Sequence, residues 1–151
     1  MLDGREKFPV NWTALRTVLL AVALSGGCSD EYESRYADKG EAVRDGAMAR
    51  GWIPDILPAD AVAIRELHNI DTNRTWCCFT TPGGVDQVRK RLQEAGAKRD
   101  ALPRSPEGRT PAWWPAAPPD ETHSLREVDG DIVRIRMSVG SKEVCFSRGI
   151  S

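Results

Sequence analysis

Cysteine is the residue type with the widest range of chemistry in this chain, and two of the four cysteines lie side by side in the segment RTWCCF, residues 74–79. A thiol can accept a lipid, bind a metal, react in redox catalysis or close a disulfide. Because disulfides persist mainly in oxidising compartments, the location of the protein decides which chemistry is open to Cys77 and Cys78. The first cysteine, Cys28, carries the information on that location.

Cys28 ends an apolar segment that is typical of an export signal. Residues 17–28 read TVLLAVALSGGC and follow Arg16. The apolar run is far shorter than the ~20 residues that cross a hydrocarbon core, but a positive charge precedes it and small residues follow it, as in a signal peptide. It resembles the lipobox of bacterial lipoproteins, in which a diacylglycerol is attached to the cysteine and cleavage makes that cysteine the first mature residue. An ordinary cleaved signal and a buried apolar helix are the alternatives.

These features predict how the chain is divided. The predicted regions are a lipoprotein signal peptide at residues 1–27, a polar tether at 28–38, and one domain at 39–151 with a proline-rich loop at 101–120. The tether is polar and acidic, with little to bury. The mature protein would be anchored to a membrane through Cys28 and would face the periplasm, with the outer membrane favoured over the inner one.

The charge of the chain argues against one class of partner. The formal net charge is −1, from 21 Lys and Arg and 22 Asp and Glu. A nucleic-acid backbone demands a basic face, and a balanced surface does not supply one. We therefore predict no nucleic-acid binding, and no pattern in the sequence indicates a cofactor.

Residue patterning predicts a small α+β domain. Helical spacing is present at residues 41–51, 58–69 and 86–96. The segment TWCCFT, residues 75–80, has the composition of a short strand. Together with a C-terminal hairpin, these elements predict a small antiparallel sheet of about three strands packed against two or three helices.

The hairpin is predicted from the segment DIVRIRMSV, in which apolar and polar residues alternate as on a strand with one buried face. A two-residue turn at 140–141 would join it to the next strand. That turn would place Ile135 opposite Phe146 on the buried face and Arg136 opposite Cys145 on the other face. The apolar faces of the two strands then coincide.

The faces of the strands also predict how the cysteines pair. Successive side chains of a strand point to opposite faces, so Cys77 shares a face with Phe79, and Cys78 lies on the other face. If Phe79 and Phe146 both face the helices, Cys145 lies on the outer face with Cys78. We therefore predict a Cys78–Cys145 disulfide and a free, buried Cys77. A Cys77–Cys145 bond, or plain packing of reduced thiols, is the alternative.

Metal binding and catalysis are not indicated. Adjacent strand cysteines diverge and no C-x-x-C spacing exists, so we predict no metal site and no redox catalysis. His68 and His123 have no nucleophile beside them in the sequence, and we assign no catalytic residue. A hidden enzyme site would require Arg134 and Arg136 to line a pocket with one of these histidines.

Trp113 and Trp114 lie in the middle of the proline-rich loop, ALPRSPEGRTPAWWPAAPPD. Prolines at this density exclude a helix or a central strand and predict an extended segment wrapped on the domain. An aromatic pair in such a frame can be a docking surface for a partner protein. Alternatively, the indoles fold back and cover the core.

The segment RGWIPDILPADAVAIRELHNIDTNRTW, residues 50–76, resembles a family of small bacterial envelope proteins with a YbbD-head-like domain. The shared features are an Arg-Gly-Trp-hydrophobic-Pro opening, a second proline and an aromatic strand. The resemblance implies an exported domain attached to the envelope, with no established activity and no catalytic residues to transfer. We therefore predict a non-enzymatic, lipid-anchored protein that contacts an unidentified envelope protein. The alternative is an inhibitor or immunity-type module that blocks a secreted enzyme with Trp113 and Trp114.

Overall fold

The structure is a computed structural model that describes residues 30–101, 110–128 and 130–149. In these residues seven antiparallel strands form one sheet. The strands are β1 (Glu31–Asp38), β2 (Val62–Asn69), β3 (Arg74–Thr80), β4 (Lys98–Arg99), β5 (Glu121–Arg126), β6 (Ile132–Ser138) and β7 (Glu143–Arg148). The helices are α1 (Lys39–Arg44) and α2 (Asp86–Glu94). The predicted signal peptide and Cys28 lie outside the described residues.

The strand order is β1-β2-β3-β7-β6-β5-β4. The sheet therefore consists of two meanders, β1 to β3 and β4 to β7, within which neighbours in the chain are neighbours in the sheet. The meanders meet where β3 pairs with β7, which we call the central junction. The protein is mainly β, so the predicted α+β architecture of about three strands packed on two or three helices is wrong.

The largest error concerns residues 58–69, whose spacing predicts a helix but which mostly form β2. Ile64 and His68 are buried while Arg65 is exposed, which is the alternation of a strand. A β-bulge at Ala63, whose φ is 52°, shifts the register near the start of the strand. The bulge and the polar residues at buried positions hide the period of two from any count of apolar residues.

Residues 31–38, which the composition assigns to the polar tether, form β1. Tyr36 is buried on one face of this strand, whereas Glu33 and Arg35 on the other face are exposed. An edge strand that buries only part of one face needs few apolar residues, so its composition resembles that of a solvated linker. The tether prediction is therefore wrong over these eight residues.

Helix α1 covers only the first part of the helix predicted at 41–51. The Asp38 side chain caps it by accepting a hydrogen bond from the backbone N–H of Glu41 at 2.8 Å. Gly46 then takes a φ of 81°, which ends the helical conformation. Val43 of α1 is half-exposed.

Two predictions are confirmed. The third predicted helix is present as α2, with its apolar stripe buried. Strands β6 and β7 pair in the predicted register, with Ile135 opposite Phe146 and Arg136 opposite Cys145. Both elements have an uninterrupted periodicity, which is why the sequence is sufficient to place them.

One face of the sheet, the core face, packs against α1, α2 and the turns between α1 and β2. The largest fully buried side chains include Phe79, Phe146, Ile53, Leu57, Ile64 and Leu92. The other face, the outer face, is partly covered by residues 110–117. Neither described helix has the length and apolar character needed to cross a bilayer.

Candidate functional site

A groove of about 180 Å³ lies on the outer face beside β1. It is lined by Glu31 and Glu33 of β1, Leu67 of β2, Trp76 of β3, and residues 110–113 of the proline-rich segment. We call this cavity the Trp113 groove. It combines carboxylates with indole rings, which is a composition that can hold a cationic or peptide group.

The register of the sheet determines which side chains form the floor of the Trp113 groove. Glu33 lies directly opposite Leu67, and Leu67 lies directly opposite Trp76, so these three side chains form a row across three strands. They share the outer face because side chains of directly opposite residues lie on the same side of a sheet. The sequence does not reveal this row, because its patterning assigns Glu33 to a tether and Leu67 to a helix.

Arg136 holds the proline-rich segment over the sheet. Its guanidinium donates hydrogen bonds to the carbonyl oxygens of Pro115, at 3.0 Å, and Ala117. The same guanidinium lies 5.6 Å from the centre of the Trp114 ring, within cation–π range. Trp114 therefore helps to fix the segment, and Trp113 is left to line the groove.

The indole N–H groups of the groove are without acceptors. Trp76 Nε1 and Trp113 Nε1 are buried and have no hydrogen-bond partner among the described residues. A buried donor without an acceptor costs about 1–3 kcal/mol, so such groups are normally satisfied.

The predicted disulfide is present on the same outer face. Cys78 and Cys145 lie directly opposite each other at the central junction, with their sulfur atoms 2.00 Å apart. Cys77 is free and buried on the core face. The alternative Cys77–Cys145 bond is therefore wrong.

Glu143 lies close enough to Cys78 and Cys145 that the three residues form a possible metal-ligand group among the described residues. A metal binds the thiolate form of cysteine, and here both sulfurs are bonded to each other. The group therefore offers one carboxylate and no thiolate while the disulfide is intact.

A polar cluster lies under the opposite face, at the β1 side of the core. His68 Nδ1 and Glu66 Oε1 are 2.8 Å apart, and both side chains are buried. The ring of Trp52 stacks on His68 with a centroid distance of 3.7 Å, and the guanidinium of Arg50 covers Trp52 at 3.9 Å. Arg50 in turn pairs with Asp45 at 2.8 Å. The stack shuts His68 off from solvent, so it cannot reach an external substrate in this arrangement.

Burial sets the protonation of this cluster. Desolvation raises the pKa of Glu66 to about 8, against a partial opposing effect of Arg50. Burial also lowers the pKa of His68. At neutral pH the pair is therefore a carboxylic acid and a neutral imidazole that share a hydrogen bond.

A second Glu-x-His pair lies at the other end of the core face, on β5. Glu121 and His123 are buried, with His123 Nε2 3.2 Å from Glu121 Oε2. Arg89 of α2 also binds Glu121, and this hydrogen bond lowers the pKa of the Glu121 carboxyl. Arg89 thereby ties α2 to the sheet. The spacing of two residues in both Glu-x-His pairs is the sequence signal that could have indicated them.

The histidines and the hairpin arginines do not meet. His123 lies opposite Ile135, whose side chain is in the core, whereas Arg136 is on the outer face with Cys145. Arg134 follows the same alternation as Arg136. The pocket that the hidden-enzyme alternative requires is therefore not formed by these residues.

The fold and the groove define the class of this molecule, a small disulfide-bonded β domain with a groove on its outer face. Residues 30–80, about a third of the chain, match the family model of the YbbD head domain. This segment contains β1, α1, β2 and β3, so the first meander is a YbbD-head-like domain. The match associates the protein with the bacterial envelope. No curated protein and no solved structure matches the chain.

Proposed function

We propose that the protein is a lipid-anchored module of the bacterial envelope that binds another envelope protein through the Trp113 groove. The observation that carries this proposal is the composition of the groove, in which Glu31 and Glu33 face Trp76 and Trp113. Its indole donors have no acceptor among the described residues, so a bound polypeptide could supply one. The YbbD head match supports the envelope association. The proposed anchor is Cys28, on the periplasmic side of the outer membrane.

An inhibitor or immunity-type module is the alternative, with Trp113 and Trp114 inserted into a secreted enzyme. Insertion of this kind requires side chains that project from the surface. Both indoles are half-buried, one in the groove and one beside Arg136. The groove therefore has more support as a receptor for a partner than as an inserted plug.

The anchor and the thiols can be tested together by intact mass. Protein from native membranes is expected to have the mass of residues 28–151 plus a lipid anchor. In denaturant without reductant, N-ethylmaleimide should add to Cys77 alone, because Cys78 and Cys145 are bonded to each other. Without denaturant it should add to none, since burial, and then the nearby Glu66, raises the pKa of the Cys77 thiol. An unlipidated full-length mass, or two reactive thiols, would contradict the proposal.

The groove can be tested by crosslinking in intact cells. A photoreactive amino acid at Ala112, which is exposed and lines the groove, is expected to capture a partner protein. Trp113→Ala should reduce this product about tenfold, because it removes one wall and one donor of the site. Trp113→Phe separates the two effects, since it keeps a ring and loses the N–H group.

The matched control for this experiment is the same photoreactive group at Gln93, an exposed position of α2. It should give little product, because α2 packs on the core face, opposite the groove. Equal capture from both positions, or a product that Trp113→Ala leaves unchanged, would argue against the groove as the binding site. The thermal transition of Trp113→Ala should be measured to show that the domain remains folded.

A further inference from the structure

Strand β1 is an edge of the sheet, and no described strand pairs with its outer side. It is eight residues long, whereas β4 at the opposite edge has two. A long open edge presents backbone N–H and C=O groups to which another strand can bond. β1 is therefore the place where the described sheet can be extended.

The backbone of β1 shows which residues face the open side. Asp30 accepts a backbone hydrogen bond from Ile70 of the neighbouring segment, at 3.1 Å. Because hydrogen-bonded positions alternate along an antiparallel strand, the even-numbered residues of β1 bond to β2. The N–H and C=O groups of Glu33 and Arg35 then point outward. The backbone of Ala37 follows the same alternation, since its N–H donates to the side chain of Glu41 and not to β2.

The charges at the two outward positions are self-complementary. Glu33 and Arg35 form an ion pair of 2.9 Å within the strand, with exposed fractions of 37% and 66% for their side chains. Exposed pairs of this kind are weak and can exchange partners. If a second β1 is added antiparallel about Ser34, Glu33 of each copy lies opposite Arg35 of the other. Within one copy Arg35 lies opposite Arg65 of β2. In the dimer Arg35 would gain the carboxylate of the other copy's Glu33 on its open side.

The other face of β1 is also self-complementary in this register. Tyr32 is 51% exposed and Tyr36 is buried, and both side chains lie on the core face. The same antiparallel pairing places Tyr32 of each copy opposite Tyr36 of the other. Aromatic pairs across neighbouring strands stabilise a sheet by about 0.2–1 kcal/mol each. One register therefore pairs the charges on one face and covers the exposed Tyr32 ring on the other.

We propose that the protein self-associates by pairing β1 with β1 of a second copy, antiparallel about Ser34, so that one sheet continues through both molecules. The symmetry is a two-fold axis, which makes the contact self-limiting at a dimer. The bonded stretch ends at Ala37, whose N–H is taken by Glu41. A contact this short is smaller than a standard interface, so we expect a reversible dimer that forms best where a membrane concentrates the chains.

The test is disulfide crosslinking of the full chain in intact cells. Ser34→Cys places two thiols at the symmetry axis, opposite each other in a non-hydrogen-bonded pair, where Cα atoms are about 4.5 Å apart. Oxidation is expected to give a dimer band that the parent chain does not give. Gln93→Cys, on exposed α2, is the control for random collision.

Charge reversal tests the register. In the Ser34→Cys background, Glu33→Lys and Arg35→Glu should each reduce the dimer band about tenfold, because each brings like charges together twice. When the two variants carry different tags and are produced together, each mixed dimer has two opposite-charge pairs. The lysine introduced at position 33 faces the glutamate introduced at position 35, and the unchanged Arg35 faces the unchanged Glu33. A crosslinked product that carries both tags should then return to the level of the Ser34→Cys chain.

Recovery of the crosslinked product that carries both tags also shows that both variants fold. A Ser34→Cys band no stronger than that of Gln93→Cys would overturn the proposal. A strong band that neither charge reversal weakens would overturn it too, because the register would be wrong. The partner proposed for the Trp113 groove is tested separately by Trp113→Ala, which leaves Glu33 and Arg35 unchanged.

Discussion

Replacement of Glu66 by glutamine is expected to abolish most of the loss of stability that the protein undergoes as the pH rises towards about 8. Burial raises the pKa of Glu66 in the folded state to about 8, from an ordinary value of 4.5. Below pH 4.5 the carboxyl is protonated in both states, so it has no effect on the free energy of unfolding. Above that value only the unfolded state ionises, and the folded state becomes progressively less stable until about pH 8. The loss is on the order of 4 kcal/mol for a fully buried carboxyl.

The measurement is urea denaturation of the parent and of Glu66→Gln at several pH values between about 5 and 8. Glutamine has the shape of the protonated acid and cannot ionise, so Glu66→Gln should be the more stable protein at the upper end of this range. Glu94→Gln, at an exposed position of α2, controls for the change in net charge. If the parent and Glu66→Gln lose stability in parallel, then Glu66 is ionised in the folded state and paired with His68 or Arg50.

His68 gives the free energy of unfolding the opposite dependence on pH, and Glu66→Gln leaves this residue in place. Burial lowers its pKa, so the folded state resists protonation of the ring. Stability is therefore lost as the pH falls below about 6.5, the ordinary pKa of histidine. Below pH 6.5 the two effects therefore oppose each other, so the net loss of stability of the parent should fall mainly between about 6.5 and 8, where only Glu66 titrates.

Loss of the disulfide is the second large effect that we expect. The bond closes a loop with a sequence separation of 67 between Cys78 and Cys145. Chain-entropy arguments give a stabilisation of about 4 kcal/mol for a loop of this length. The double variant Cys78→Ala, Cys145→Ala should therefore unfold at a markedly lower urea concentration than the parent.

Reductant provides the matched comparison for the disulfide. Dithiothreitol should lower the midpoint of the parent towards that of the double variant and leave the double variant unchanged. Cys77→Ala controls for the loss of a buried sulfur without the loss of a cross-link. A parent whose midpoint is insensitive to reductant would show that the bond adds nothing to the packing of the central junction.

The sequence predicts those elements whose periodicity is not interrupted. The hairpin register and the Cys78–Cys145 pair follow from one alternating run and one face assignment, and both are present. The meander of β1 to β3 could not be placed in the same way. Its buried positions include Glu66 and His68. The ring of Trp52 covers His68 from an earlier segment of the chain, and the bulge at Ala63 breaks the period.

The Trp113 groove shows a similar limit. Trp113 could be singled out from its proline-rich context, but the residues facing it could not. Glu33 and Trp76 come from separate strands and meet Trp113 where the proline-rich segment, bonded to Arg136, crosses the sheet. That tie is a contact between a side chain and backbone carbonyl groups, and no local pattern in the sequence encodes it.

The central junction has a consequence for how the chain reaches this structure. The pairs β2–β3, β5–β6 and β6–β7 are joined by short turns, whereas the β3–β7 contacts join residues such as Cys78 and Cys145 that are 67 positions apart. Closing a longer loop carries a larger entropic cost, and folding rates fall as contacts become less local. The hairpins can therefore form early and independently, and we expect the pairing of β3 with β7 to be the slowest step of folding. Until that step occurs, each half carries an additional open sheet edge on which it can pair wrongly.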